Sequence, residues 1–205
     1  MKKIVVIVVL ISLFSCAEKE VLLPQVEKTI VDKIEDHSPI YMFFKSEAKD
    51  TLIEVNRKNS ISSTNWIFNI DKRLPLRLVI PEIMKLQAKK EGSAHKNEAS
   101  ENYFSYSDSI HKQLAFIPFT RVKFKLEQPK SGVNIYFAKS NRVFVNSTEV
   151  KKEDLVNYLE HLPTDKPLHY NFCFDKTADY GSFIKNMVFI QSLEIEMKIM
   201  EFFVY

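Results

Sequence analysis

Residues 168–190 read LHYNFCFDKTADYGSFIKNMVFI, and in this stretch a strand pattern passes directly into a helix pattern. Apolar and polar residues alternate over its first seven positions, which is the period of a strand with one buried face. From Asp175 the spacing becomes that of a helix with one apolar stripe, and we expect this helix to run to about Leu193. Asp175 and Thr177 are suited to capping its start. The apolar positions are Leu168, Tyr170, Phe172 and Phe174 in the strand and Tyr180, Phe183, Ile184, Met187 and Ile190 in the helix.

The flanking residues complete an α+β unit around this stretch. Residues 133–145 alternate in the same way about Ser140-Asn141 and predict a hairpin. Residues 151–162 predict a helix, because leucines recur on one face, and alternation returns in 195–199 as a final strand. The order strand, strand, helix, strand, helix, strand predicts an α+β fold, in which two helices cover one face of a mixed sheet in two layers.

A second, smaller α+β unit is predicted for residues 37–90. Short runs rich in β-branched and aromatic residues occur at 40–44, 51–55 and 65–70. Residues 91–112 are polar and predict a linker or long loop, which leaves 113–205 as the C-terminal domain.

Two prolines make the helix of this smaller unit ambiguous. Either one kinked helix runs from Pro75 through Pro81, or residues 76–80 form a strand and Pro81 opens a helix that ends before Gly92. The second reading is favoured, because proline suits the first position of a helix and lysines suit its last turn.

A short internal similarity leaves open whether the chain contains two copies of one fold. Residues 68–72 read FNIDK and residues 172–176 read FCFDK, 104 residues later, and each is followed by apolar residues at helical spacing. Duplication would require a continuous helix through Pro81, and no glycine stands opposite Gly181.

The first residues resemble an export signal that ends in a lipid attachment site. Lys2 and Lys3 precede an apolar run over residues 4–14, which is too short to span a bilayer. Leu13-Phe14-Ser15-Cys16 resembles the lipobox of bacterial lipoproteins, although Phe14 is bulky for its position. We therefore expect residues 1–15 to be a signal peptide, Cys16 to carry the lipid, and the protein to lie in the bacterial cell envelope, on the periplasmic side of a membrane or at the cell surface.

Residues 16–36 are expected to be a tether, within which Val26, Ile30 and Ile34 have the spacing of a short helix. With Cys16 acylated, Cys173 is the one remaining thiol, and its place in an alternating strand predicts a buried, inert side chain.

Composition excludes some classes of partner. The 205 residues include 45% hydrophobic residues, sixteen Phe and three Gly, which predicts a packed aromatic core and no glycine-rich phosphate loop. Removal of Lys2 and Lys3 leaves 27 basic residues (29 minus two) against 26 acidic ones, so no nucleic-acid partner is expected.

The passage from Val143 to Val188 resembles the periplasmic domain of the ExbD/TolR family of biopolymer transport proteins over residues 130–193. The matching features are VFVN at 143–146, the strand that ends in Asp175, and the pair Tyr180-Gly181 that opens the second helix. The resemblance implies an interaction domain that dimerises or binds a TonB-like protein or peptidoglycan, with Asn146, Asp175, Tyr180 and Gly181 as partner-binding residues. Residues 4–14 contain no carboxylate, unlike the ion-coupled transmembrane helix usual in that family.

No motif for catalysis, a metal or another cofactor is recognisable, and the protein is predicted not to be an enzyme. The five histidines lack HExxH or clustered spacing, and Asp175 and Asp179 are interpreted as helix caps rather than a catalytic pair. The alternative is a lipid-anchored hydrolase or small-molecule carrier with a site between the two halves. The rings of Trp66, Tyr103, Phe104 and Tyr106 would also suit a glycan-stacking surface, although anchoring in the core or a loop is the commoner role of such rings.

Replacing Cys16 by serine tests the anchor. We expect the native protein to carry an acyl mass on a mature N-terminal Cys16 and the Cys16→Ser variant to remain an unacylated precursor, as measured by intact-mass spectrometry of membrane fractions. Identical processing and fractionation of the two proteins, with no acyl mass on the native one, would contradict the anchor.

Overall fold

The computed structural model describes residues 19–47, 50–163, 169–193 and 200–205. The fold is α+β, and the described residues form twelve strands, three α-helices and a 3₁₀ turn at Lys152–Asp154. The helices are α1 Leu76–Glu91, α2 Leu155–Glu160 and α3 Tyr180–Gln191. The strands are β1 Gln25–Val26, β2 His37–Glu47, β3 Asp50–Asn56, β4 Asn65–Ile70, β5 Asn102–Asp108, β6 Gln113–Pro118, β7 Val122–Lys125, β8 Val133–Phe137, β9 Val143–Val145, β10 Thr148–Val150, β11 Tyr170–Phe174 and β12 Met200–Val204.

The first sheet has the order β3-β2-β4-β5-β6, and β1 pairs with the carboxyl end of β5. Its three central strands, β2, β4 and β5, are parallel, and α1 makes the crossover from β4 to β5. The outer strands β3 and β6 are antiparallel to their neighbours.

The second sheet has the order β10-β9-β8-β11-β12-β7. Strands β8, β11, β12 and β7 are parallel, β9 and β10 add an antiparallel hairpin at one edge, and α3 makes the crossover from β11 to β12. The hairpin, the two helices and the strand ending at Phe174 are thus confirmed, although α2 is shorter than 151–162. The final strand predicted for 195–199 lies outside the described residues, and β12 begins directly after it, at Met200.

The two sheets repeat one arrangement. In each, a strand and its antiparallel partner are followed by a strand, a helix and a strand that complete a parallel trio. The aligned inward residues are Ile40, Phe68 and Phe104 in the first sheet and Ile135, Phe172 and Phe202 in the second. The similarity between FNIDK and FCFDK therefore belongs to structurally equivalent positions.

Helix α1 runs without a break through Pro81, so the reading with a strand at 76–80 is wrong. Pro75 lies at the N-cap position in an extended conformation, and Pro81 is interior. An interior proline removes one helical hydrogen bond. Burial of Val79, Ile80 and Ile83 on the core side of the helix offsets that loss.

Reciprocal backbone hydrogen bonds join the first turns of α1 and α3. Leu76 N–H donates to Ala178 O at 2.9 Å, and Tyr180 N–H donates to Leu74 O at 2.8 Å. Each bond becomes the other when 104 is added to or subtracted from its residue numbers. The same exchange relates Arg77 N–H to Lys176 O at 2.8 Å with Gly181 N–H to Lys72 O at 3.0 Å. The two copies therefore meet about an approximate two-fold axis at their helix N-termini.

One hydrophobic core serves both sheets. Phe183 of α3 lies with its ring centroid 6.1 Å from that of Phe104 in the first sheet and 4.9 Å from that of Phe174 in the second. Helix α1 covers the first sheet and also approaches β12 of the second. Because the inner faces of both sheets point into this core, their outer faces point away from it.

The predicted linker and the predicted start of the C-terminal domain are both wrong. Residues 91–112 contain β5, whose alternation of Phe104 and Tyr106 with serines was obscured by the polar composition. Strand β6 pairs with β5 and belongs to the first sheet, so the second half begins at β7 rather than at residue 113.

The predicted tether, 16–36, is part of the fold over much of its length. Val31 makes a bridge to Phe116, and the Tyr106 hydroxyl donates to Lys28 O at 2.8 Å and accepts from Ile30 N–H at 3.0 Å. The segment is extended, not helical, because its backbone groups pair with the first sheet and its side chains.

Gly181 provides a test of the junction. A Cβ at this position would lie 3.1 Å from Asp179 Oδ1 and 3.2 Å from Lys72 Cβ, so Gly181→Val should lower the free energy of unfolding by about 2 kcal/mol. Arg77→Val is the matched control, because Arg77 is the equivalent residue of α1 and its side chain is exposed. Urea unfolding measures both, and equal losses would argue against a close approach at Gly181.

Candidate functional site

The structure separates the four residues expected to bind a partner. Asn146 lies beside Asn134 at the start of β8, whereas Asp175 follows the end of the neighbouring parallel strand β11, where its N–H donates to Phe137 O at 3.2 Å. These points are opposite ends of the second sheet. Cys16 lies outside the described residues.

Asp175 and Asp179 both organise the approach to α3. The helix cap is Asp179, whose Oδ1 accepts from Ser182 N–H at 2.8 Å, so the expectation that Asp175 and Thr177 cap the helix is wrong. Asp175 Oδ1 instead accepts from Thr177 N–H and its hydroxyl, both at 2.7 Å. Burial opposes ionisation of Asp175, but these hydrogen bonds outweigh it and hold the pKa of its carboxyl below the usual value.

Tyr180 and Gly181 are junction residues. The Tyr180 ring is fully buried against Phe104 and Phe183, and burial raises the pKa of its phenol well above the usual value. Gly181 permits the close approach to Lys72. Their position assigns both to holding the two copies together.

A groove on the outer face of the second sheet contains Asn146, and we call it the second-sheet groove. Its volume is about 470 Å³. The rings of Tyr136 and Tyr205 lie at its floor with centroids 5.6 Å apart. It is lined by Asn134, Tyr136, Phe144, Asn146, Ser147 and Tyr205.

The hairpin turn that carries Asn146 is fixed in a strained but common geometry. Asn146 and Ser147 both have positive φ, 46° and 73°, as a two-residue hairpin loop requires. Asn146 N–H donates to Asn134 O, and Asn146 Oδ1 accepts from Asn134 N–H, each at 3.0 Å. The turn therefore holds a polar rim beside the aromatic floor.

Buried side chains support the floor from within the sheet. Asn171 Nδ2 donates to Ser131 O at 2.6 Å and to Asn134 Oδ1 at 2.9 Å. Cys173 is fully buried, as predicted, and burial raises the pKa of its thiol to about 11. The adjoining Tyr205 phenol also has a raised pKa, first because of burial and then because of Cys173.

The first sheet carries a larger groove on its outer face, which we call the first-sheet groove. Its volume is about 1090 Å³. Tyr41 at its floor is equivalent to Tyr136, because both follow the aligned isoleucines of the parallel trios. The groove is lined by Lys19, Val21, Leu23, Tyr41, Phe43, Glu54, Val55, Asn56, Arg57, Lys58, Asn69 and Lys89.

Lys90 is buried, and its hydrogen bonds give it a structural role. Burial lowers the pKa of its ammonium to about 8. The ammonium donates to Thr64 O at 3.0 Å, Glu101 O at 3.3 Å and Asn102 Oδ1 at 3.1 Å. Lys90 thereby joins the end of α1 to the loops that precede β4 and β5.

The considered glycan-stacking surface is contradicted for three of its members. Trp66, Phe104 and Tyr106 are buried in the core. Within residues 19–47, 50–163, 169–193 and 200–205, no group of His, Cys, Asp and Glu is arranged to hold a metal ion. No helix in that part of the chain has the length and apolar character needed to cross a bilayer.

Comparisons with protein-family models, curated proteins and solved structures found no match to this chain. The two grooves are therefore the features of the structure that bear on function. Tyr136 and Phe144 were missed in the sequence because they occupy the alternate positions of a predicted hairpin, where only the inward residues attract notice. An aromatic residue at an outward hairpin position is the signal that could have identified them.

The burial of Cys173 can be measured directly. With its pKa near 11 instead of 9, the folded protein should contain about 100-fold less thiolate at pH 8, and alkylation should slow by at least that factor relative to protein in urea. Mass spectrometry of the peptide containing Cys173 separates this thiol from Cys16. Equal rates with and without urea would contradict the buried environment.

Proposed function

We propose that this chain is a non-enzymatic, lipid-anchored protein of the bacterial cell envelope. It acts as an adaptor in biopolymer or protein transport, or in envelope integrity, through an ExbD/TolR-like interaction domain. The observation that carries the proposal is the second-sheet groove, an accessible aromatic surface in the half that resembles that family.

The arrangement of the second half supports this proposal. From β8 to β12 the elements follow the order strand, strand, helix, strand, helix, strand, apart from the short added strand β10. Asp175 directly follows the last residue of β11, and Tyr180 and Gly181 are the first two residues of α3. The resemblance leads us to expect this order. The first half supplies a second copy within the same chain, and we propose that the helix junction takes the place of the two-fold pairing expected of a dimer.

The groove has the composition of a recognition surface. Tyr136, Phe144 and Tyr205 offer rigid apolar area with few rotatable bonds, and the amides of Asn134 and Asn146 can both donate and accept. Such a mixture suits a peptide segment of a TonB-like protein or the peptide and glycan parts of peptidoglycan.

A photoreactive amino acid in place of Tyr136 tests this surface in cells. We expect irradiation to crosslink an identified envelope protein or muropeptides to position 136, because its side chain lines the groove. Position 156 is the matched control, since Val156 is 42% exposed on α2 and does not line the groove.

Phe144→Ser in the same background should reduce the yield of that adduct about tenfold while leaving the melting temperature within a few degrees, since Phe144 lies outside the main core. Adducts of equal yield at positions 136 and 156, or none at either, would count against an interaction role for the groove.

A small-molecule carrier is the second candidate. A cavity of about 330 Å³ lies between the halves and is lined by Phe119, Met187, Ile190 and Phe202 among others, a size at the lower end of ligand pockets. A Met187→Trp variant that abolished binding of an extracted lipid or apolar dye would favour this function over the adaptor.

A further inference from the structure

We propose that the first-sheet groove binds anionic phospholipid and thereby seats the domain against its membrane. The inference rests on the lipid anchor proposed above and adds a second, noncovalent contact with a defined face of the protein. Three features carry it: the short connection to Cys16, the charge of the groove, and its exposed apolar residues.

The connection between the anchor and the fold is short. Leu22 is fixed to the first sheet, because its N–H donates to Asp71 Oδ2 at 3.3 Å and its carbonyl accepts from Lys72 N–H at 2.7 Å. Five residues, 17–21, separate it from Cys16. Even when fully extended they reach only about 20 Å, and Lys19, which lines the groove, lies within about 10 Å of the anchored residue.

Because this connection is short, it limits which face of the domain can be turned toward the membrane. Val21 and Leu23 line the same groove as Lys19, so the chain leaves the domain along the groove. A long tether would allow the domain to turn in any direction. Here the groove must remain close to the headgroups.

The charge of the groove suits an anionic surface. Lys19, Arg57, Lys58 and Lys89 line it together with one carboxylate, Glu54. Lys19 already pairs with Glu54. Arg57, Lys58 and Lys89 are exposed and form no ion pair among the described residues, so three cations face the space that the short connection places near the bilayer. Anionic lipids attract such residues within a screening length of roughly 10 Å.

Apolar groups around these cations suit the membrane interface. The rings of Tyr41 and Phe43 stack with centroids 5.9 Å apart at the floor. Tyr41 is 37% exposed, and Leu22, which lies between the lining residues Val21 and Leu23, is 36% exposed. Aromatic rings and basic residues together are typical of protein surfaces at the headgroup level.

The second copy provides an internal comparison. None of the side chains that line its equivalent groove is charged. The basic residues are therefore a property of the copy to which the anchor is connected, and the shared fold alone does not account for them.

Site-directed fluorescence tests the orientation on the mature lipoprotein in vesicles. A label at Asn59→Cys, in the exposed turn beside Lys58, is compared with one at Ser140→Cys in the exposed turn after β8. Labelling is selective, because Cys173 is buried and the Cys16 sulfur is acylated. Nitroxide-headgroup lipids should quench position 59 at least about twofold more than position 140 in vesicles of phosphatidylcholine with phosphatidylglycerol. The difference should shrink in phosphatidylcholine alone.

Charge removal separates the groove from the anchor. The combination Arg57→Gln, Lys58→Gln and Lys89→Gln should abolish the difference between the two labels, and Lys123→Gln, Lys130→Gln and Lys151→Gln, also exposed, should leave it intact. If the protein is acylated but the two labels are quenched equally, the proposal that the groove binds lipid is wrong, and the proposed anchor is unaffected. The same holds if the difference in quenching survives removal of the groove cations. Absence of the acyl mass overturns both.

Discussion

Four reciprocal backbone hydrogen bonds between the first turns of α1 and α3 are the contact on which the rest of the structure depends. The first amides of a helix have no partner within the helix and must find one elsewhere. Here the loop before each helix supplies carbonyls to the other: Lys72 and Leu74 to α3, Lys176 and Ala178 to α1. An amide left buried without a partner costs about 1–3 kcal/mol, so the packed junction depends on these carbonyls being in place.

This junction also explains what the residues around it do. The N-terminus of a helix often attracts an anion, but in α1 and α3 the other copy already occupies these donors. The backbone pattern is symmetric while the side chains are not: Asp179 caps α3, Pro75 begins α1, and Gly181 stands where α1 has Arg77. Sharing of carbonyls thus preserves the two-fold contact while the sequences of the copies diverge.

The sequence revealed the second half better than the first, for physical reasons. In β8 and β11 large apolar residues face the core and polar ones face outward, so the period of two is easy to see. In β5 two of the outward positions are serines, and Asn102 and Asp108 lie at the two ends of the strand, so the same period looks like a polar loop. The sequence favours Pro81 as a helix start because local propensity contains no information about the burial of residues on both sides of it.

Candidate site residues were predicted less well than the fold. Asp175, Tyr180 and Gly181 form a recognisable element, but their roles are a turn, a core ring and a close approach. Asn146 does line a groove, and its aromatic neighbours come from β8, β9 and the end of the chain. Such a surface depends on which strands are adjacent. Tyr136 and Tyr205 are distant in sequence, and the strand order β8-β11-β12 brings their rings to one face of the sheet.

The N-terminal segment is held against the first of the two copies by side chains at the end of β5. Tyr106 and Asp108, at the end of β5, hold residues 28–30 through the Tyr106 hydroxyl and a 2.6 Å hydrogen bond from the Thr29 hydroxyl to Asp108 Oδ2. The Asp108 carboxyl is buried, and hydrogen bonds from Thr29 and His111 hold its pKa well below the usual range. The carboxylate that accepts the Thr29 hydrogen bond is therefore ionised at any physiological pH. If Cys16 carries the proposed lipid, a segment held this way ties the first sheet to the anchor. Because both inner faces share one core, the outer face of the second sheet points away from that of the first. In the proposed lipid-anchored arrangement, the second-sheet groove would therefore face away from the membrane and be open to the proposed envelope partner.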